Sequence, residues 1–246
     1  MTWKHKYEGA PWVYDDDTGD IIGVRDPDGS THFFVFGNGG KKANSIAFDT
    51  YPDVNQPLAE GEMRWNTVDQ TVDLKLPGDV TLQIGQELNK LFRNNTGSTI
   101  ANGAVVYVTG STGVFPTIGL AQANSEAASS VIIGVTTMEI PKNIQGFVTT
   151  YGLVRDIDTS SLTEGGAVWL SPSVAGGMTD VKPSAPNHLV LVGYCIRKHP
   201  TLGSIYVKPQ NGYELDELHN VKITNPQDGQ VLKYSASLGV WINANP

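Results

Sequence analysis

The chain has 246 residues, a formal net charge of −8 and only 17% charged residues, where average soluble domains carry about 25%. An acidic balance whose only short basic runs are Lys41-Lys42 and Arg197-Lys198 argues against a nucleic-acid partner, because phosphate contacts need clustered Lys or Arg. Twenty-seven glycines among many Thr, Val and Asn favour short strands and tight turns over a helical enzyme.

The first twenty residues are aromatic and acidic, with Trp3, Tyr7, Trp12 and Tyr14 ahead of Asp15-Asp16-Asp17. A free terminal arm rarely carries so many bulky rings, so these four are the candidate docking residues of an arm that packs on a partner. No apolar stretch precedes them, so no signal peptide is expected. No run of about 18 apolar residues follows, so no membrane insertion is expected either. Asp15–Asp20 resembles a calcium loop but lacks the ligand types that an EF-hand needs at its fifth and twelfth positions. An acidic turn is the expectation there.

Ile21–Arg25 and Ser30–Phe36 flank Asp26-Pro27-Asp28-Gly29, which fits a type I turn and predicts a hairpin. A second hairpin joins Gly61–Trp65 to Thr71–Leu76. There Val72, Leu74 and Leu76 alternate with Thr71, Asp73 and Lys75, the period of a half-buried strand. Strand-like runs then recur at Leu82–Ile84, Ala104–Thr109, Phe115–Ala121, Val131–Met138, Gly146–Tyr151, Val154–Ile157, Ala167–Ser171, Met178–Lys182, His188–Ile196 and Ser204–Val207. Glycine and asparagine turns separate them, the signature of a sandwich or barrel. Two segments are candidate short helices: Leu88–Phe92, and Ala121–Ser129, which fits a loop or a single helical turn equally well. Thr81–Val108 reads as the entry into the barrel.

One internal echo stands out. Ser98-x4-Gly103-Ala104-Val105 recurs sixty-three positions later as Ser161-x4-Gly166-Ala167-Val168. Chance suffices for so short a pattern; a true echo would mean a barrel of two related halves. The single cysteine, Cys195, lies in an apolar run and reads as a buried thiol with no partner for a disulfide or a metal pair.

From Tyr213 the chain changes character. Leu215, Leu218, Val221, Ile223, Val231, Leu232, Tyr234 and Trp241 sit in a polar background. So short a segment cannot bury them by itself; it needs the barrel or copies of itself. These eight are the candidate oligomer-interface residues.

Catalytic motifs are missing: there is no GxSxG, HExxH, CxxC or P-loop, and the five histidines have no ligand spacing. Gly37–Lys42 is Gly-Lys rich without the P-loop spacing. Asp156 and Asp158 would share a strand face, and paired carboxylates can serve glycoside hydrolysis, although polar residues ending a strand are commoner. Asn94-Asn95-Thr96 matches a glycosylation sequon, a pattern that recurs by chance. No enzyme activity, metal or cofactor is expected.

The segment LQIGQELNKLFRNNTGSTIANGAVVYVTGSTG, then GVTTMEIP and GFVTTYGLVRDIDTSSLTEGGAVWLSPSVAGGMTDVKPSAPNHLVLVGYCIRKH, resembles structural proteins of tailed bacteriophages: tail fibre, head fibre or capsid decoration proteins. GEMRWNTVDQTVDLKL resembles a segment found ahead of such domains. NGYELDELHNVKITNPQDGQVLKYSASLGVWIN resembles the short modules of trimeric phage fibres. The resemblance spans about residues 61–243. It implies an all-β virion protein that acts as a homotrimer and is assembled in the host cytoplasm. Three segments follow: 1–60, an N-terminal arm and β-hairpins for docking; 61–211, a β-barrel or sandwich; and 212–246, an extended, trimerising, fibre-like tail. The implied partners are copies of itself, phage capsid or tail proteins and, for an adaptor, a separate host-surface-binding fibre. A fibre or adaptor stands against a capsid decoration protein that stiffens the head. Against both stands a carbohydrate-binding protein using Trp65, Trp169, Asp156 and Asp158.

Overall fold

The computed structural model describes residues 56–246, Phe48, Thr50, Pro52 and, as backbone, three strands nearer the N-terminus. It divides into two units, residues 1–49 and 50–246. In the first, β1 (Trp12–Tyr14), β2 (Ile21–Arg25) and β3 (Thr31–Phe33) form an antiparallel sheet in that order.

The second unit is nearly all β. β4 (Met63–Asn66), β5 (Thr71–Lys75) and β6 (Thr81–Gln83) form a small antiparallel sheet of their own. The Leu82–Ile84 run thus belongs to this sheet, and the barrel begins one strand later. Its strands are β7 (Leu88–Asn94), β8 (Val105–Thr112), β9 (Phe115–Leu120), β10 (Ile132–Thr136), β11 (Gln145–Ile157), β12 (Ala167–Leu170), β13 (Met178–Thr179), β14 (Leu189–Arg197) and β15 (Gly203–Gly212). A single turn of helix, α1 (Glu126–Ser129), precedes β10.

Five strands close on themselves: β10–β8–β9–β7–β11 and back to β10. Closure removes sheet edges. Phe92, Val106, Ile118 and Val148 belong to the core cluster of this ring. β11 then runs on and pairs with β15, which leads to β14, β12 and β13. A second core, with Val154, Val168, Leu170, Val192, Cys195 and Ile205, lies along this half. Cys195 is fully buried, and that burial pushes its thiol pKa up, as its apolar neighbours in sequence suggest.

Two expectations within the barrel need correction. Leu88–Phe92 is a strand. Its i, i+3, i+4 apolar spacing mimics a helix, but Phe92 alone of the three apolar residues turns into the core; Leu88 and Leu91 stay exposed on a strand paired along β11. The two runs Gly146–Tyr151 and Val154–Ile157 are one strand of 13 residues, β11. Within it Gly152 has a φ of +107° where the backbone passes Gln86.

The internal echo corresponds to a repeated topology. The pairings β7–β11, β10–β11, β8–β10 and β8–β9 recur as β11–β15, β14–β15, β12–β14 and β12–β13, all antiparallel. β11 is the last strand of one half and the first of the next. The hydrogen bonds repeat too. Gly103 N donates to Thr136 O and Thr136 N to Ala104 O, both at 3.0 Å; Gly165 N donates to Cys195 O at 2.8 Å and Cys195 N to Gly166 O at 3.0 Å. This equates Gly103, at φ +79°, with Gly165, at φ +77°. The sequence echo, anchored on Ser98 and Ser161, is therefore out of register by one residue.

The halves differ in their closure. β9 pairs in parallel with β7 at Arg93↔Thr117 and Asn94↔Ile118, closing the first half. Among the described residues β13 makes no such pairing with β11.

The C-terminal segment is not extended. After a 3-10 turn at Leu215–Glu217, β16 (Val221–Lys222), β17 (Val231–Ser235) and β18 (Val240–Ala244) form a sheet in the order β16–β18–β17.

Candidate functional site

Side chains opposite one another across paired strands share a face. In the C-terminal sheet Trp241 pairs with Tyr234 on one side and Val221 on the other, and Leu232 pairs with Asn243. Val221, Leu232, Tyr234 and Trp241 therefore line one face. The rings of Tyr234 and Trp241 meet edge to face, centroids 5.7 Å apart. Val231 pairs with Ala244, so this candidate lies on the opposite face with Lys233 and Ile242. Leu215 and Leu218 flank the sheet at the 3-10 turn, and Ile223 follows β16.

Nothing in this module is buried: from Tyr213 to Pro246 every residue is exposed or half-buried. Leu215, Leu218, Val231, Leu232, Tyr234 and Trp241 are each more than 40% exposed. What holds the module is polar. Asn243 Nδ2 donates to Thr224 O at 2.9 Å and to Gln230 Oε1 at 2.6 Å, while its Oδ1 accepts from Thr224 N at 2.8 Å. The module thus presents an exposed apolar face on a hydrogen-bonded frame without a buried residue.

Of the candidate docking residues, Trp12 and Tyr14 sit on β1. Trp3 and Tyr7 lie outside the described residues, as does the Asp15–Asp20 loop.

Sequence reasoning missed a polar cavity of about 140 Å³, whose lining includes Gln83, Glu87, Asn89, Arg155 and Asp156. Arg155, reaching out from β11, is its centre. Its guanidinium contacts the Glu87 carboxylate, donates to Gln83 Oε1 at 2.8 Å and lies 3.5 Å from Asp69 Oδ2. Gln83 passes the chain on to Asp73 at 3.0 Å, and Asp73 accepts from Asn66 at 3.1 Å. This network fastens the β4–β6 sheet to the barrel. Burial raises the pKa of Glu87 above the usual carboxylate range, against the opposing pull of Arg155. Among the described residues, no group of three or more His, Cys, Asp or Glu could hold a metal.

Of the four residues of the carbohydrate reading, Asp156 lines the polar cavity; Trp65, Trp169 and Asp158 are not among its lining residues, nor among those of another cavity that lies between Ser171 and Asn187. Asp158 has a local task. Its Oδ1 accepts from Ser160 N at 2.9 Å and Ser160 Oγ at 2.6 Å, and these bonds hold its pKa below the usual value. Asn94 does the same in the first half, accepting from Thr96 N at 2.8 Å and Thr96 Oγ1 at 2.7 Å. The sequon asparagine is therefore a fully buried turn residue, closed to modification.

The outer face of the barrel carries a further apolar group. Tyr194 pairs with Tyr206 across β14 and β15, Tyr206 meets the Tyr151 ring edge to face at 5.4 Å, and Tyr151 pairs with Leu88.

Comparison with known proteins adds no relative: no protein-family model matches the chain, and no curated protein matches it.

Proposed function

We propose that this chain is a non-enzymatic structural component of a tailed-phage virion: a homotrimeric fibre or fibre adaptor, attached to the particle through its N-terminal region. The observation that carries the reading is the C-terminal module, which presents Val221, Leu232, Tyr234 and Trp241 on one face without a single buried residue. Three copies around a common axis would give each such face two identical neighbours, the economical way to cover it in a closed assembly. Large aromatic anchors at the centre of such a contact supply most of its energy. The phage assignment itself rests on the resemblance of residues 61–243 to fibre, head-fibre and decoration proteins.

The barrel fits a supporting role. It has two packed cores, and its polar cavity is lined by an internal hydrogen-bond network that joins two sheets. The test is immunogold labelling of purified particles with antibody against the barrel. Label confined to the tail or to projecting fibres is the expected result. Label spread over the shell would replace the fibre reading with that of a capsid decoration protein, and unlabelled particles would overturn the virion assignment.

A further inference from the structure

We propose that the polar cavity beside Arg155 and Asp156 is a binding site for one neutral sugar ring of a glycan. The site is complete within one chain and does not involve the C-terminal face. It starts from an irregularity in β11. Between Val154 and Ile157 the pairing with β15 shifts register, and Asp156 takes a φ of +57°. In a regular strand Arg155 and Asp156 would point to opposite faces; here both line the cavity. Left-handed backbone is costly for a residue other than glycine and persists only where the surroundings impose it. Glycine would remove that cost, and with it the carboxylate.

Part of the polar wall is unanswered by the protein itself. The Asp156 carboxylate and the Thr81 hydroxyl have no hydrogen-bond partner among the described residues. Asn89 Oδ1 accepts from Thr149 Oγ1 at 2.7 Å, while its Nδ2 is buried without a partner. The lining therefore offers an acceptor, a donor and a hydroxyl that serves as either. Gln83 and Glu87 are buried on the inner side, and Asp79 and Asp156 are exposed at the mouth. Three carboxylates, Asp79, Glu87 and Asp156, share the lining with one guanidinium, so an anion is repelled. Among the described residues no group of acidic side chains is arranged to hold a metal ion. A plain ammonium group brings no acceptor for Asn89. A neutral polyhydroxylated molecule brings donors and acceptors together. The size fits as well: a cavity of about 150 Å³ takes one six-membered ring, and this one measures about 140 Å³. Leu153 supplies an apolar wall and pairs with Tyr206, whose ring meets that of Tyr151. These side chains suit the C–H face of a sugar and the next unit of its chain.

The experiment is saturation-transfer NMR on the full chain. Glucose, galactose, mannose and N-acetylglucosamine are each titrated to about 50 mM, because contacts to a single ring give a Kd on the order of 1–10 mM. Glucuronate and galacturonate, the same rings carrying a carboxylate, are titrated beside them. The expected result is saturable binding of at least one neutral sugar, with the uronates at least about tenfold weaker. Asp156→Gly relieves the left-handed backbone and removes the carboxylate; it is expected to unfold at a higher temperature than the native chain while its Kd rises about tenfold or more. Asp156→Asn tolerates the same backbone, keeps the shape and loses the charge, and its Kd rises about fivefold. Absence of saturable binding by all four neutral sugars overturns the proposal. So does a uronate that binds as tightly as the neutral sugars, or undiminished binding in Asp156→Gly. If Asp156→Gly does not fold, undiminished binding in Asp156→Asn overturns it in the same way.

Discussion

In the barrel, Val105, Val106, Ile118, Val135 and Val148 are wholly buried; in the C-terminal module, Val231, Leu232, Tyr234 and Trp241 all stay exposed. Both regions are built from strands joined through glycine turns, each with one parallel pairing, so the contrast does not come from secondary structure. It comes from closure. The barrel wraps its sheet around its own apolar side chains, whereas three strands of two to five residues cannot enclose anything. A module shorter than about 40 residues needs an external partner or a staple to bury apolar surface. The module here has no cysteine, and among the described residues no metal cluster. The barrel is complete in one chain, and on our reading the module is completed by its copies.

The sharpest break in that comparison lies at glycine. A Cβ on Gly193 would sit 1.9 Å from Tyr206 O, and on Gly134, its counterpart in the first half, 2.1 Å from Thr149 O. Backbone cannot move out of the way cheaply, so Gly193→Ala is expected to destabilise the barrel by more than about 3 kcal/mol, read by thermal unfolding. Gly239, in the module, has open space around it; there Ala meets only the φ of +70° and costs about 1 kcal/mol.

Next come the two turn residues that the halves share. Asn94 Nδ2 donates to Ser98 O and to Ile140 O, each at 2.8 Å, from a fully buried position. Asn94→Asp sets a carboxylate against two carbonyls and is expected to cost roughly 3 kcal/mol in denaturant unfolding. Asp158→Asn keeps an acceptor in the exposed turn and gives up only the charge, so its loss should be much the smaller of the two. Equal losses at both positions would contradict the contrast drawn between the buried turn and the exposed one.

The smallest effect concerns the joint between the β4–β6 sheet and the barrel. Glu87 has a raised pKa because burial disfavours its charge. The folded chain then holds a proton at a pH where the unfolded chain has lost it, so this group favours folding most below its unfolded pKa of about 4.3. That contribution fades as pH rises through the folded pKa. Measured by denaturant unfolding between pH 4 and 7, the native chain should lose ground steadily to Glu87→Gln, which cannot ionise. A gap that stayed constant would show that burial does not govern this carboxylate.

The sequence carried the architecture further than the sites. Alternation at Val72, Leu74 and Leu76 and the turn glycines placed most strands, because one-sided burial and tight turns leave a local mark. Closure leaves none: that β9 meets β7 in parallel, and that β11 serves both halves, depends on pairings between residues distant in the chain. The helix-like spacing of Leu88, Leu91 and Phe92 misled for the same reason, since only the pairing with β11 decides which of the three is buried. The apolar residues of the module were visible as composition, but the register alone separates Val231 from the Tyr234–Trp241 face. The Arg155 network and the contacts of His188 with Glu126 and Glu214 join residues far apart in sequence through single polar atoms, and no spacing announces them.

The central claim is that the module is completed by identical copies, and the direct test is the solution mass of the full chain over a hundredfold range of concentration. The account predicts a species of three times 26.5 kDa, and a shift toward the single-chain mass in Trp241→Lys with the barrel's unfolding transition unchanged. A native chain that stays at 26.5 kDa at every concentration would contradict it.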